Sequence, residues 1–141
     1  MLANLLPLLR SLFMPSKEIS AIEATNVKPL TNLQELDACM SESAVRPVFI
    51  FKHSTACSIS AAAYRHVAKY SQSATEADPE VYIVKVIEDR PVSNQIADEL
   101  VIQHKSPQLI LVKDRAVVWS SSHYGINEQA IRKAVSGPIA R

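Results

Sequence analysis

One stretch of this sequence holds a side chain capable of covalent chemistry. Phe49 to Tyr64 reads FIFKHSTACSISAAAY. An apolar run from Val48 to Phe51 gives way to a polar turn over Lys52 to Ala56, then Cys57. After it comes an alanine-rich segment in which Ile59, Ala63 and Val67 recur at helical spacing. The pattern predicts a strand, a short loop and a helix, with the cysteine at the helix entrance. A helix begins with four backbone N–H groups that lack intrahelical partners, and together they carry partial positive charge. That field favours a thiolate, the nucleophilic form of cysteine, and Lys52 and His53 stand just upstream as further cations. Three residues after Cys57, where a dithiol site would hold a second cysteine, the chain has Ser60. The chemistry suggested is monothiol attack on an existing disulfide, with no local partner to close a ring. Ser60 forms no disulfide, but its hydroxyl suits the thiolate or the free amides of the first turn, and Thr55 suits the same amides or a helix cap. A structural cysteine would sit more naturally on the apolar stripe than in a polar turn between Thr55 and Ser58.

Other reactive side chains are fewer and plainer. Cys39 falls beside an apolar helical stripe formed by Leu33, Leu36 and Met40, where cysteine usually serves as a small buried hydrophobe. A resolving role for Cys39 requires its helix to lie against the helix of Cys57. Ser106-Pro107 precedes a strand, and the sequence leaves its peptide bond open between a trans strand entrance and a cis turn. Four scattered histidines and two cysteines make no metal-ligand pattern, so neither a metal nor a bound cofactor is expected. His53 and His104 are candidates for a polar contact near the thiol.

The elements that must position these residues can be taken in order. Met1 to Pro29 divides into an apolar extension, MLANLLPLLRSLFMPS, and an aperiodic connector, and a domain over residues 30–141 follows. Thr31 with Gln34 has the form of a capping box opening a first helix. Val48 to Phe51 is the first strand and Cys57 to Ser71 the site helix. VYIVKVI, Val81 to Ile87, has the composition of a strand buried on both faces, parallel to the first. Pro91 opens a helix striped by Val92, Ile96 and Leu100. Leu109 to Val112 and Ala116 to Trp119 read as an antiparallel hairpin whose turn has no glycine. A last helix runs from Asn127 as cap to Gly137 and Pro138 as stop. The order predicts an α/β fold, a mixed sheet of about four strands with helices on both faces.

The chain has 141 residues, enough for one domain with its own core. With 15 basic and 14 acidic side chains, it has no electrostatic case for nucleic acid or an anionic membrane. Two cysteines suit a reducing compartment, and the cytoplasm is the expected location. The N-terminal stretch lacks a basic lead and a small-residue cleavage pattern, and it is too short to span a bilayer. It reads as an apolar appendage that packs on its own domain or mediates self-association.

The runs FKHSTACSIS, VIEDRPVSNQIADEL (Val86 to Leu100), HKSPQLILVKD (His104 to Asp114) and VWSSSHYGI (Val118 to Ile126) resemble the monothiol bacilliredoxins. The resemblance spans roughly Leu30 to Val135. It implies a thioredoxin-like fold and a stress-related thiol–disulfide oxidoreductase whose nucleophile is Cys57 and whose co-substrate is bacillithiol. The implied partners are client proteins bearing bacillithiol mixed disulfides and a recycling reductase. Lys52, His53, Thr55, Ser58, Ser60, Ser106 and Pro107 are the implied thiolate-supporting or substrate-binding residues. Ser106-Pro107 is implied to be cis, in a loop whose backbone docks an extended disulfide substrate. One departure stands out: Ser58 replaces a proline that would preset the first helical turn. It motivates an alternative, a non-catalytic thioredoxin-like binding or stress-sensing module.

Overall fold

An apolar run without alternation needs cover on both faces, and Val48 to Phe51 finds it at the middle of a five-stranded sheet. The computed structural model describes residues 26–137. In chain order these form β1 (Val27–Pro29), α1 (Leu33–Ser43), β2 (Val48–His53), α2 (Ser58–Ser73), β3 (Glu80–Lys85), α3 (Arg90–Leu100), β4 (Gln108–Lys113), β5 (Ala116–Ser122), a 3-10 turn at His123–Gly125 and α4 (Glu128–Ser136). The readings of the N-terminal apolar stretch and of Pro138 fall outside the described residues.

The strand order is β1-β3-β2-β4-β5, a thioredoxin-type α/β arrangement. β3 runs parallel to β1 and β2, while β4 is antiparallel to β2 and β5. The sheet therefore has one strand more than the four expected. β1 joins it by pairing Val27 with Val81 and Pro29 with Ile83, so the sheet begins inside the segment read as connector.

Alternation along the strands sorts the core into two layers. Val48, Ile50, Tyr82, Val84, Ile110 and Val112 face α1 and α3, whose Leu36, Cys39, Met40, Val92, Ile96 and Leu100 close one side. Phe49, Phe51, Val81, Leu109 and Leu111 face Ala63, Val67 and Tyr70 of α2 and Ile131 and Ala134 of α4. Cys39 and the helix that follows Cys57 thus lie on opposite faces of the sheet.

Two local details differ from expectation. The first helix is capped by Asn32, whose Oδ1 accepts from Glu35 N at 2.8 Å, while Glu35 reaches back to Thr31 N at 2.9 Å. The reciprocal pair thus uses Asn32 and Glu35 rather than Thr31 and Gln34. The hairpin turn places Asp114 and Arg115 at φ 51° and 60°, a left-handed pair usually given to glycine or asparagine. Ser43 holds it from α1: its carbonyl accepts from Asp114 N at 2.7 Å and its Oγ from Arg115 N at 3.0 Å.

Phe49 is fully buried and meets Tyr70 edge-on at 5.4 Å and Trp119 at 6.3 Å between centroids. Phe49→Ala is expected to lower the unfolding free energy by about 3–5 kcal/mol in urea titrations. A loss of less than about 1 kcal/mol would mean that this layer can collapse around the missing ring.

Candidate active site

Four chain segments meet at the end of the sheet where β2 stops. β2 and β3 finish there, and β4, being antiparallel, starts there, with Lys52 opposite Gln108. The 3-10 turn after β5 lies at the same end, its His123 N donating to the Pro107 carbonyl at 3.1 Å. Cys57 stands among them, half-buried, as the N-cap of α2 in an extended conformation (φ −118°, ψ 127°). No side-chain oxygen caps this helix. Cys57 accordingly stands at the helix end whose first-turn amides lack intrahelical partners, an end that favours negative charge. Its carbonyl accepts from Ala61 N at 3.0 Å and its N–H donates to Ser54 O at 3.4 Å, so the helix starts at Ser58 without the proline.

Lys52 and His53 do not act as a cationic turn beside the thiol. β2 runs two residues beyond the apolar stretch, through both of them, and alternation sends them to opposite faces. Lys52 continues the row of Val48 and Ile50 and is fully buried. Its ammonium donates to His104 Nδ1 at 3.0 Å, and loss of hydration pushes its pKa down to about 8. His53 turns to the α2 side, its ring 5.5 Å from Phe51 and 5.2 Å from Tyr64 between centroids. Its pKa is lowered first by burial and then by the Lys85 charge, with Glu88 opposing, so the imidazole is neutral at pH 7.

Ser60 explains how that neutral imidazole is held. Its buried hydroxyl lies 2.7 Å from His53 Nδ1 and accepts from Ser54 N at 2.9 Å. Rather than facing an incoming sulfur, it binds β2 and the loop of residues 54–57 to the first turn of α2. Thr55 and Ser58 are both exposed, Thr55 in the loop and Ser58 as the first helical residue.

Across β2 lies the loop of residues 103–107. The Ser106-Pro107 peptide bond is cis. Gln108, buried at the start of β4, donates from Nε2 to Gln103 O at 3.1 Å and accepts at Oε1 from Lys105 N at 3.4 Å. Sequence reasoning passed over Gln108; its signal is an amide at the head of an otherwise apolar strand. Ser106 Oγ is buried without a hydrogen-bond partner among the described residues. Tyr124 of the 3-10 turn and Ile87, just after β3, expose 79% and 51% of their surface. A hollow of about 650 Å³ lies at the other end of the sheet, beside Arg46, Thr75, Asp78 and Glu80, and takes no part in this site.

Comparison with known proteins gives a family and a fold. Residues 28–131 match the family described as monothiol bacilliredoxin BrxC. One solved structure with a thioredoxin fold, itself provisionally assigned as an oxidoreductase, is 28% identical, with a TM-score of 0.69 over 82% of this chain and 96% of that one. Oxidised thioredoxin from Plasmodium falciparum is 18% identical, with a TM-score of 0.62 over 81% and 99% of the two chains. Thioredoxin from Fasciola hepatica is 17% identical, with a TM-score of 0.61 over 77% and 96%. The two thioredoxins are similar in fold alone.

The burial of Lys52 has a thermodynamic signature. Its pKa is about 8 when folded and 10.5 when hydrated, so between these values the unfolded chain binds more protons. The contribution of this group to stability therefore rises with pH across that window. Cys39, pushed up to about 12 by burial, works in the opposite sense above pH 9.0, so a difference between two proteins is the useful quantity. Wild type is expected to gain stability relative to Lys52→Met between about pH 8 and about pH 10 in urea unfolding. A constant difference would mean that Lys52 titrates as a hydrated side chain.

Proposed function

The chain belongs to the monothiol bacilliredoxin family, and on that premise we propose that it is a thiol–disulfide oxidoreductase that removes bacillithiol from client proteins. The observation that carries this reading is the isolation of Cys57. The position three residues on is a serine already engaged with His53 and Ser54. The second cysteine, Cys39, is fully buried in the opposite core layer, with its thiol pushed up to about 12 by burial. One sulfur is thus available, and it stands at a helix N-terminus.

The exchange balances without any bound cofactor. Cys57 thiolate attacks the bacillithiol sulfur of the client's mixed disulfide; the client leaves as a thiolate and takes a proton from solvent. The new disulfide joins Cys57 to bacillithiol. A second bacillithiol thiolate then attacks the bacillithiol sulfur of that adduct, releasing Cys57 as a thiolate and forming bacillithiol disulfide for a separate reductase. Attack on the client sulfur instead would leave two proteins joined with no second accessible thiol on this protein to part them. The cytoplasm, where low-molecular-weight thiols stay reduced, is the proposed setting.

Intact-mass analysis tests the scheme. Mixing the reduced protein with a client carrying a bacillithiol mixed disulfide is expected to move one bacillithiol adduct onto the peptide holding Cys57. Cys57→Ser is expected to abolish the transfer and Cys39→Ser to retain most of it. Equal loss in both variants would point to a Cys39–Cys57 disulfide. Absence of transfer by a folded wild type whose Cys57 still alkylates would sink the exchange reading.

A further inference from the structure

Lys52 breaks the pattern of its own strand. Val48 and Ile50, on the same face, are apolar, and a leucine or methionine at position 52 would extend that core. Instead an ammonium with three N–H groups is fully buried, and among the described residues its one hydrogen-bond partner is His104 Nδ1 at 3.0 Å. Enclosing a cation is costly, and one hydrogen bond to a neutral ring does not offset it. Such a cost marks a residue held for something other than stability.

What the contact joins indicates the use. His104 is an exposed residue 52 positions away, in the middle of the loop of residues 103–107. Gln108 braces that loop internally, and His123 fixes its end at the Pro107 carbonyl. The Lys52–His104 bond ties its middle to β2, the strand that delivers Cys57. Because Nδ1 accepts, the imidazole is neutral and carries its proton on Nε2; burial first, then the Lys52 and Arg90 charges, lower its pKa and keep it so.

We infer that Lys52 is a positioning residue for client exchange: through His104 it holds the loop of residues 103–107 in place beside the loop that carries Cys57. The inference rests on the exchange reading above. Lys52 touches no reacting atom; it sets the distance between the Cys57 loop and the loop of residues 103–107, beside which a client segment would lie on the exchange reading. Losing it loosens client engagement and leaves the chemical step.

Steady-state exchange with a client bearing a bacillithiol mixed disulfide separates these effects. In Lys52→Met and in His104→Leu, KM for the client is expected to rise about tenfold, with kcat within about threefold of wild type. His104→Asn, which keeps an acceptor where Nδ1 stands, is expected to remain near wild type. A second readout needs no activity. His104→Leu strands the buried ammonium and lowers the melting temperature by about 5 °C, and adding Lys52→Met restores most of that loss. An unchanged KM in folded Lys52→Met, with wild type exchanging normally, overturns the role. Additive melting shifts in the double variant overturn the contact itself. A wild type that exchanges nothing sinks the exchange reading and this role with it, leaving the melting cycle to report on the contact.

Discussion

A strand covered on both faces must find a partner for every side chain it carries to its end, and β2 carries Lys52 and His53 there. Had the strand stopped at Phe51, both would have stood in solvent beside the thiol. Because it continues, alternation drives one into each core layer, and each meets a polar group from elsewhere in the chain. Lys52 reaches His104 in the loop that precedes β4, and His53 reaches Ser60 in α2. The two contacts secure the segments on either side of Cys57 to one strand, which is itself hydrogen-bonded to β3 and β4.

The consequence for the thiol is an electrostatic setting built from dipoles more than from side-chain charges. His53 is neutral, and the Lys52 ammonium lies on the far face of the sheet. What remains at Cys57 is the start of α2, whose first-turn amides are capped by no side chain. This arrangement suits a nucleophile that must also become part of a neutral mixed disulfide. A fixed cation would favour the thiolate and resist its consumption more strongly than the roughly half-charge of a helix N-terminus does.

Periodicity made much of this legible. The two-sided apolar strands, the stripe of Val92, Ile96 and Leu100, and the cysteine at a helix entrance are local patterns, and the structure has all of them. What stayed hidden depends on distant partners. β1 is three residues ending in a proline and shows no alternation, so only its pairing with β3 makes it a strand. Nothing near Lys52 announces burial, because the acceptor is 52 residues away. The Asp114–Arg115 turn lacks glycine because Ser43, on another element, accepts both of its amides. Ser60 looked free to face the thiol because its bonds to His53 and Ser54 form only once β2 and α2 are packed together.

The placement of the two cysteines on opposite faces has a kinetic meaning. A disulfide requires the two Cα atoms to come within about 7 Å, and a hydrogen-bonded sheet with its side chains fills the space between α1 and the start of α2. Joining Cys39 to Cys57 would mean dismantling the core, so no intramolecular thiol competes for an adduct on Cys57. On the proposed exchange, such an adduct would last until a thiol arrives from solution. A dithiol site releases its substrate at a rate fixed by its own geometry. On the exchange proposed above, release here would depend on the surrounding thiol pool, with Ser60 filling the resolving position and bracing the loop.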